Sequence, residues 1–165
     1  GPGSCATTDA DGNPGCTHST SAIAQAVDYG SQKGARVINI SLGGDEAATP
    51  DLLGAISRAT AAGTIIVVAG GNRVDDNTPP LATPVAFAHS LADPAYSHGL
   101  VLIATSVNND DSVSSFSDGA QGDETVAMAA LGNNVLTIGS DGKDYLYTGT
   151  SLSAPQISVE IALLA

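Results

Sequence analysis

The sequence predicts an α/β domain in three layers, a mostly parallel sheet flanked by helices, and three observations carry that expectation. The run Thr64-Ile65-Ile66-Val67-Val68-Ala69 is continuously apolar rather than alternating, as in a strand covered on both faces. Ahead of it stand a strand-like stretch, Arg36 to Leu42, and a helix-like stretch opened by Pro50. Strand, helix and strand in that order make a right-handed crossover with parallel strands. Aromatic residues make up 4% of the 165 residues and Trp is absent, so Ala, Val, Ile and Leu must fill the interior, as they do between a parallel sheet and its helices.

Taken in order, Gly1-Pro2-Gly3-Ser4 reads as an expression-tag remnant, and residues 5–165 as one α/β unit. Residues 5–18 read as a turn-rich surface loop. Within it Asp9-Ala10-Asp11-Gly12-Asn13 invites calcium, but Pro14 stands where an EF-hand needs glycine and Thr20 where it needs a bidentate Glu. From Ser19 or Thr20 an amphipathic helix places Ile23, Ala26, Val27 and Gly30 on one face, and Gly34 ends it. The strand Arg36–Leu42 closes on Gly43-Gly44. In the helix opened by Pro50, Leu52, Leu53, Ile56 and Ala59 face inward and Gly63 is the stop. Residues 73–98 read as loop, since Pro79, Pro80, Pro84 and Pro94 discourage regular structure. Val101–Thr105 is a further buried strand. Short strands are expected around Val113–Phe116, Thr125–Ala129, Val135–Ile138 and Tyr145–Thr148. The last leads into Gly149-Thr150-Ser151-Leu152-Ser153-Ala154-Pro155 and the apolar run Ile157–Ala165, read as a buried helix with Ser151 at its N-terminal end. Free N–H groups and the helix dipole there favour developing negative charge.

The formal charge of -12, from 17 acidic and 5 basic residues, argues against nucleic-acid binding and against attraction to anionic membranes. No stretch approaches the apolar length of a membrane span. Cys5 and Cys16 lie close together in a polar segment, which favours a local disulfide and an exported protein, secreted or at the cell surface. Two free thiols in a reducing compartment are the alternative.

Three stretches in this order resemble the subtilisin-like serine proteases, the subtilases: Val37-Ile38-Asn39-Ile40-Ser41-Leu42-Gly43-Gly44, Val67-Val68-Ala69-Gly70-Gly71-Asn72, and Gly149 to Pro155. Val113-Ser114-Ser115-Phe116-Ser117 looks like the family's Ser-Phe-Ser turn, and Met128-Ala129-Ala130-Leu131-Gly132 like its Met-Ala-Pro-Gly. The cysteine-bearing loop and the form of the serine motif look most like bacterial autotransporter-type members. The resemblance implies that Ser151 is the nucleophile and that Asn72 donates its side-chain amide to the oxyanion together with the Ser151 backbone N–H. It implies that Ser41-Leu42-Gly43 pairs as a strand with a polypeptide substrate. Ala69-Gly70-Gly71 would then line the primary specificity pocket, with room for a bulky apolar side chain. No cofactor is implied. Calcium is common in the family, but the spacing around Asp9 or Asp75-Asp76-Asn77 names no ligands.

A serine hydroxyl needs a base and an orienting carboxylate. Of the subtilase order Asp, His, Ser, the chain holds only the last. His18, His89 and His98 sit in polar contexts and read as solvated loop histidines. The chain therefore reads as the Ser-bearing portion of a peptidase domain, incomplete at the N-terminal side and inactive alone. Its partner would be the N-terminal part of the same domain, in cis or as a separate fragment. An uncovered sheet edge invites pairing, a homodimer included. Within the apolar run, Val159 and Glu160 stand where the family has small residues, and Gln156 where it often has His. The alternative reading is a non-catalytic subtilase-like module that binds peptides or serves assembly. A nucleotide-binding domain is disfavoured, because neither a Walker lysine motif nor Gly-x-Gly-x-x-Gly follows a strand.

Overall fold

The computed structural model describes residues 4–8, 14–17, 19–73, 80–139 and 141–164, the first two of these segments by backbone alone. The elements are β1 (Ser4–Thr8), β2 (Pro14–Thr17), α1 (Thr20–Gln32), β3 (Val37–Ile40), α2 (Pro50–Ala61), β4 (Ile65–Ala69), α3 (Ala86–Ala92) and α4 (Pro94–Ser97). They continue with β5 (Val101–Val107), β6 (Ala127–Leu131), β7 (Val135–Ile138), β8 (Asp144–Tyr147) and α5 (Thr150–Leu164). Four strands form a parallel sheet in the order β3-β4-β5-β6, with Ile40 beside Val68 and Val68 beside Ile103.

Alternation along these strands sorts the layers. Ile40, Ile66, Val68, Val101 and Ile103 face α1, α2 and α3, where Leu52, Ile56, Phe87 and Leu91 complete the larger core. Val67 and Ala104 face the other way and meet Ala154 and Ile157 of α5. The fold is thus three layers, helices on both faces of a parallel sheet, and it confirms the expected class. Local signals agree with it. Ser19 caps α1 by accepting from the Ala22 N–H at 3.2 Å, and Pro50 opens α2 where an N–H would have no partner.

Several expectations need correction. Residues 73–98 are not all loop, because α3 and α4 lie there with Phe87, Ala88 and Leu91 buried. Pro84 precedes α3, and Pro94 sits in the first turn of α4, so the prolines bound the helices rather than break them. Residues 5–18 are not simply a loop, since β1 and β2 pair antiparallel with Ser4 opposite Thr17. That pairing also takes in Ser4, set aside with the tag remnant. The Asp9–Asn13 loop lies outside the described residues, as do His18 and Asp75-Asp76-Asn77, and the Cys5–Cys16 disulfide rests on side chains outside them. Val113–Phe116 is no strand. A single bridge from Val113 to Val107 is followed by a turn. On α1, Ala24 rather than Ala26 is buried beside Val27, because the helix leans on α2 as well as on β3.

The run after Pro155 is buried only in part. Ile157 is 1% exposed, but Val159 is 59%, Leu163 82% and Leu164 89% exposed. One side of α5 lies on the sheet, and no described element covers the other. Glu160 is on that open side, so its charge stays solvated.

Candidate active site

Parallel strands end at the same sheet edge, so the turns after β3 and β4 and the start of α5 converge there. Thr150 is the joint. Its backbone N–H donates to Asn72 Oδ1 at 2.8 Å, and its hydroxyl accepts from the Gly71 N–H at 3.3 Å. With Oδ1 spent on that cap, the exposed Asn72 side chain keeps its NH₂ group to donate elsewhere. Ser151, next along α5, is half-buried, and its hydroxyl has no hydrogen-bond partner among the described residues. Its carbonyl accepts from Ser41 Oγ at 2.8 Å.

Ser41 is itself held. Asn39 Nδ2 donates to Ser41 Oγ at 2.8 Å, and Ser158 Oγ donates to Asn39 Oδ1 at 3.2 Å. Sequence reading missed Asn39 and Ser158 as part of the site. The signals were periodic: Asn39 is two residues from Ser41 on one strand face, and Ser158 seven from Ser151 on one helix face. Gln156 donates to the Leu131 and Leu152 carbonyls at 2.6 and 2.7 Å, which ties α5 to the end of β6.

A pocket of about 200 Å³ opens beside Ser151. Leu42, Gly43, Ala69, Gly71 and Asn72 line it, as do Asp45 and Val85, which the sequence did not single out. Gly70 does not line it. That residue is buried against β5, where a Cβ would stand 2.9 Å from the Ala104 carbonyl. Gly71, at φ +116°, must be glycine, because a Cβ there would collide with Val85 and approach Asp118 Oδ2 at 2.6 Å.

Asp118 is a fully buried carboxylate. Oδ1 accepts the Leu81 N–H at 2.7 Å and lies 3.5 Å from Arg73 Nε, while Oδ2 has no partner. Burial raises its pKa above the ordinary 3.8, and the Leu81 bond and Arg73 only partly offset this. An acid with a raised folded pKa holds its proton more tightly when folded. Stability therefore falls as pH rises from the ordinary value through the raised one, and stays lower above it. Asp118→Asn keeps an oxygen for Leu81. It is expected to raise Tm at neutral pH and to leave it unchanged near about pH 3; equal shifts at both, by calorimetry, would contradict the burial account.

Neither described histidine meets Ser151. His89 is on α3 rather than in a loop, and its Nδ1 pairs with Asp123 Oδ2 at 2.6 Å. His98 follows α4 in the left-handed region, with Nδ1 2.9 Å from Thr60 Oγ1. No cluster of three or more His, Cys, Asp or Glu side chains suited to a metal occurs among the described residues.

A serine at a helix start, a side-chain amide beside it and a strand edge thus meet at one end of the parallel sheet, an arrangement in which the serine could act as a nucleophile once a base is supplied. The chain belongs to the subtilase family, which it matches over residues 6–165. It is 28% identical over 144 residues to the intracellular serine protease of Paenibacillus polymyxa, covering 86% of this chain and 40% of that one. The major intracellular serine protease of Bacillus subtilis (strain 168) gives the same figures. The thermophilic serine proteinase of Bacillus sp. (strain AK1) is 32% identical over 144 residues, covering 87% of this chain and 31% of that one. The chain thus spans less than half the length of these relatives. Among solved structures, a cold adapted subtilisin-like serine proteinase is 25% identical at TM-score 0.68, covering 92% of this chain and 50% of that one. The prenylagaramide maturation protease PagA, at 22% identity, shares the fold with TM-score 0.76 over 93% of this chain and 51% of its own.

Proposed function

We propose that this chain is the serine-bearing part of a subtilisin-type endopeptidase domain that cleaves polypeptides through an acyl-enzyme. The observation that carries the reading is the convergence of Ser151, Asn72, Leu42 and Gly43 around one pocket, with Ser41 outside it but hydrogen-bonded to the Ser151 carbonyl. Ser151 Oγ attacks the carbonyl, Asn72 and the Ser151 N–H stabilise the oxyanion, and residues 41–43 pair with the substrate backbone. The base and its carboxylate come from the N-terminal part of the domain, in cis or as a separate fragment. That part has a place to dock: the outer edge of β3 pairs with no described strand. A groove of about 380 Å³ runs along it, lined by Ile23, Ala26, Val27, Ile38, Ile40 and Leu42 among others. Left alone, the same edge would pair with a second copy. Two relatives are named intracellular, so a secreted or cell-surface location rests on the cysteines alone.

The second reading, a non-catalytic peptide-binding or assembly module, draws on the lack of a base beside Ser151 among the described residues. A fluorophosphonate probe separates the two. Full-length protein should label stoichiometrically at Ser151, and the isolated chain should label about 10²–10⁴ times more slowly for want of a base. A full-length protein that does not label would establish the binding reading; fast labelling of the isolated chain would refute the need for a second part.

A further inference from the structure

We propose that Asp45, together with the buried carboxylate of Asp118 behind the same pocket, makes the pocket beside Ser151 a site for a cationic substrate side chain, Lys or Arg. This rests on the protease reading above and concerns the residue on the acyl side of the scissile bond. It replaces the bulky apolar preference expected from the glycines.

The pocket's shape is the first ground. Val85 faces Gly43, where a Cβ would lie 3.6 Å from Val85 Cγ2, and it also blocks the space next to Gly71. A volume of about 200 Å³ narrowed in this way suits an unbranched stem better than a broad ring. Leu42 and Val85 supply apolar contact for such a stem while its charged end stays among polar groups.

The second ground is charge. Asp45 lines the pocket and has no ion-pair partner among the described residues. Asp118 lies directly behind Gly71, its side chain fully buried and its Oδ2 unpartnered. Arg73, the cation near Asp118, reaches its other oxygen at 3.5 Å and lines a neighbouring cavity that Asp45 also borders, but it forms no ion pair with Asp45 and does not line this pocket. The carboxylates are close enough for Asp45 to oppose the ionisation of Asp118. Asp45 supplies the negative charge in the pocket itself, and Asp118, behind Gly71, adds to the field there when it ionises, so a substrate cation would be drawn to this end of the pocket. At longer range the net charge of -12 draws cationic peptides toward the cleft.

The test uses the full-length protein and a peptide series that varies only the residue before the scissile bond: Arg, Lys, norleucine and Phe. Arg and Lys should exceed norleucine in kcat/KM by roughly tenfold, the scale of a charge-assisted contact in a partly desolvated site. Asp45→Asn should cut that ratio about fivefold or more, and Asp45→Lys should invert it. Asp45 is exposed, so neither change threatens folding. If Ser151 labels with fluorophosphonate but norleucine or Phe is preferred, or Asp45→Asn leaves the ratio unchanged, this inference is wrong and the protease reading stands. Absence of both labelling and cleavage overturns both.

Discussion

Asn72→Leu is expected to lower kcat of the complete domain on the order of 10²–10³-fold with little change in KM, the scale of removing one oxyanion donor in subtilisin. The side chain has two jobs here, and the variants must separate them. Its oxygen caps α5 by accepting the Thr150 N–H at 2.8 Å, and its NH₂ group is left to meet developing charge. Asn72→Asp keeps the accepting oxygen and discards the donor. Turnover should therefore fall in the Asp variant at least as far as in the Leu variant, because a second negative charge faces the oxyanion. Its Tm should stay near that of the parent, whereas Leu, which also loses the cap, should lower Tm by the equivalent of about 1 kcal/mol. An Asp variant that turns over normally would show that Asn72 matters only as a helix cap.

Gly132→Ala is expected to cost about 1–3 kcal/mol of stability and a larger share of activity. A Cβ at this buried position would collide with Ser106 Oγ, stand 2.5 Å from Ser153 Oγ and lie 2.8 Å from the Gly149 carbonyl. Two of these three neighbours belong to the segment that carries Ser151. The Gly132 carbonyl also accepts the Gly149 N–H at 2.7 Å, so the end of β6 and the turn before Ser151 are fastened together. Room for a methyl is made most cheaply by moving that turn, which would carry Ser151 away from Asn72. Urea denaturation gives the stability loss, and the fluorophosphonate labelling rate reads the displacement. An unchanged labelling rate alongside lost stability would mean that the strain is absorbed on the Ser106 side.

The elements legible in the sequence were those whose burial is written in short range. β4 and β5 are continuous apolar runs, and Pro50, Gly34 and Gly63 mark helix ends where the chain does begin or leave a helix. α3 is illegible because Pro84 and Pro94 flank it closely enough to mask a seven-residue helix, although no proline falls between Val85 and Asp93. Val113–Phe116 has strand-like residues, yet it turns after one bridge, since Ser114 Oγ bonds Ser106 Oγ at 2.8 Å and Ser117 Oγ accepts the Ser106 N–H at 3.0 Å. In the candidate site, Ser151, Asn72 and Ser41 sit at strand or helix ends, where a parallel sheet must bring them together. Asp45, Val85 and Asp118 lie in connecting segments, and nothing local in the sequence says that Gly71 will have Val85 and Asp118 at its back.

The placement of α5 also bears on the order in which the molecule is made. This helix follows every strand of the parallel sheet in the chain and rests on all four of them. Its docking closes long sequence separations, such as that of Ser158 to Asn39, and contacts of that span are slow to form. Ser151 rides on the first turn of this helix. The Ser151 hydroxyl is therefore expected to reach Asn72 and the Ser41 segment only after these long-range contacts have closed, and fluorophosphonate labelling of the complete domain at successive refolding times would show labelling lagging behind sheet formation.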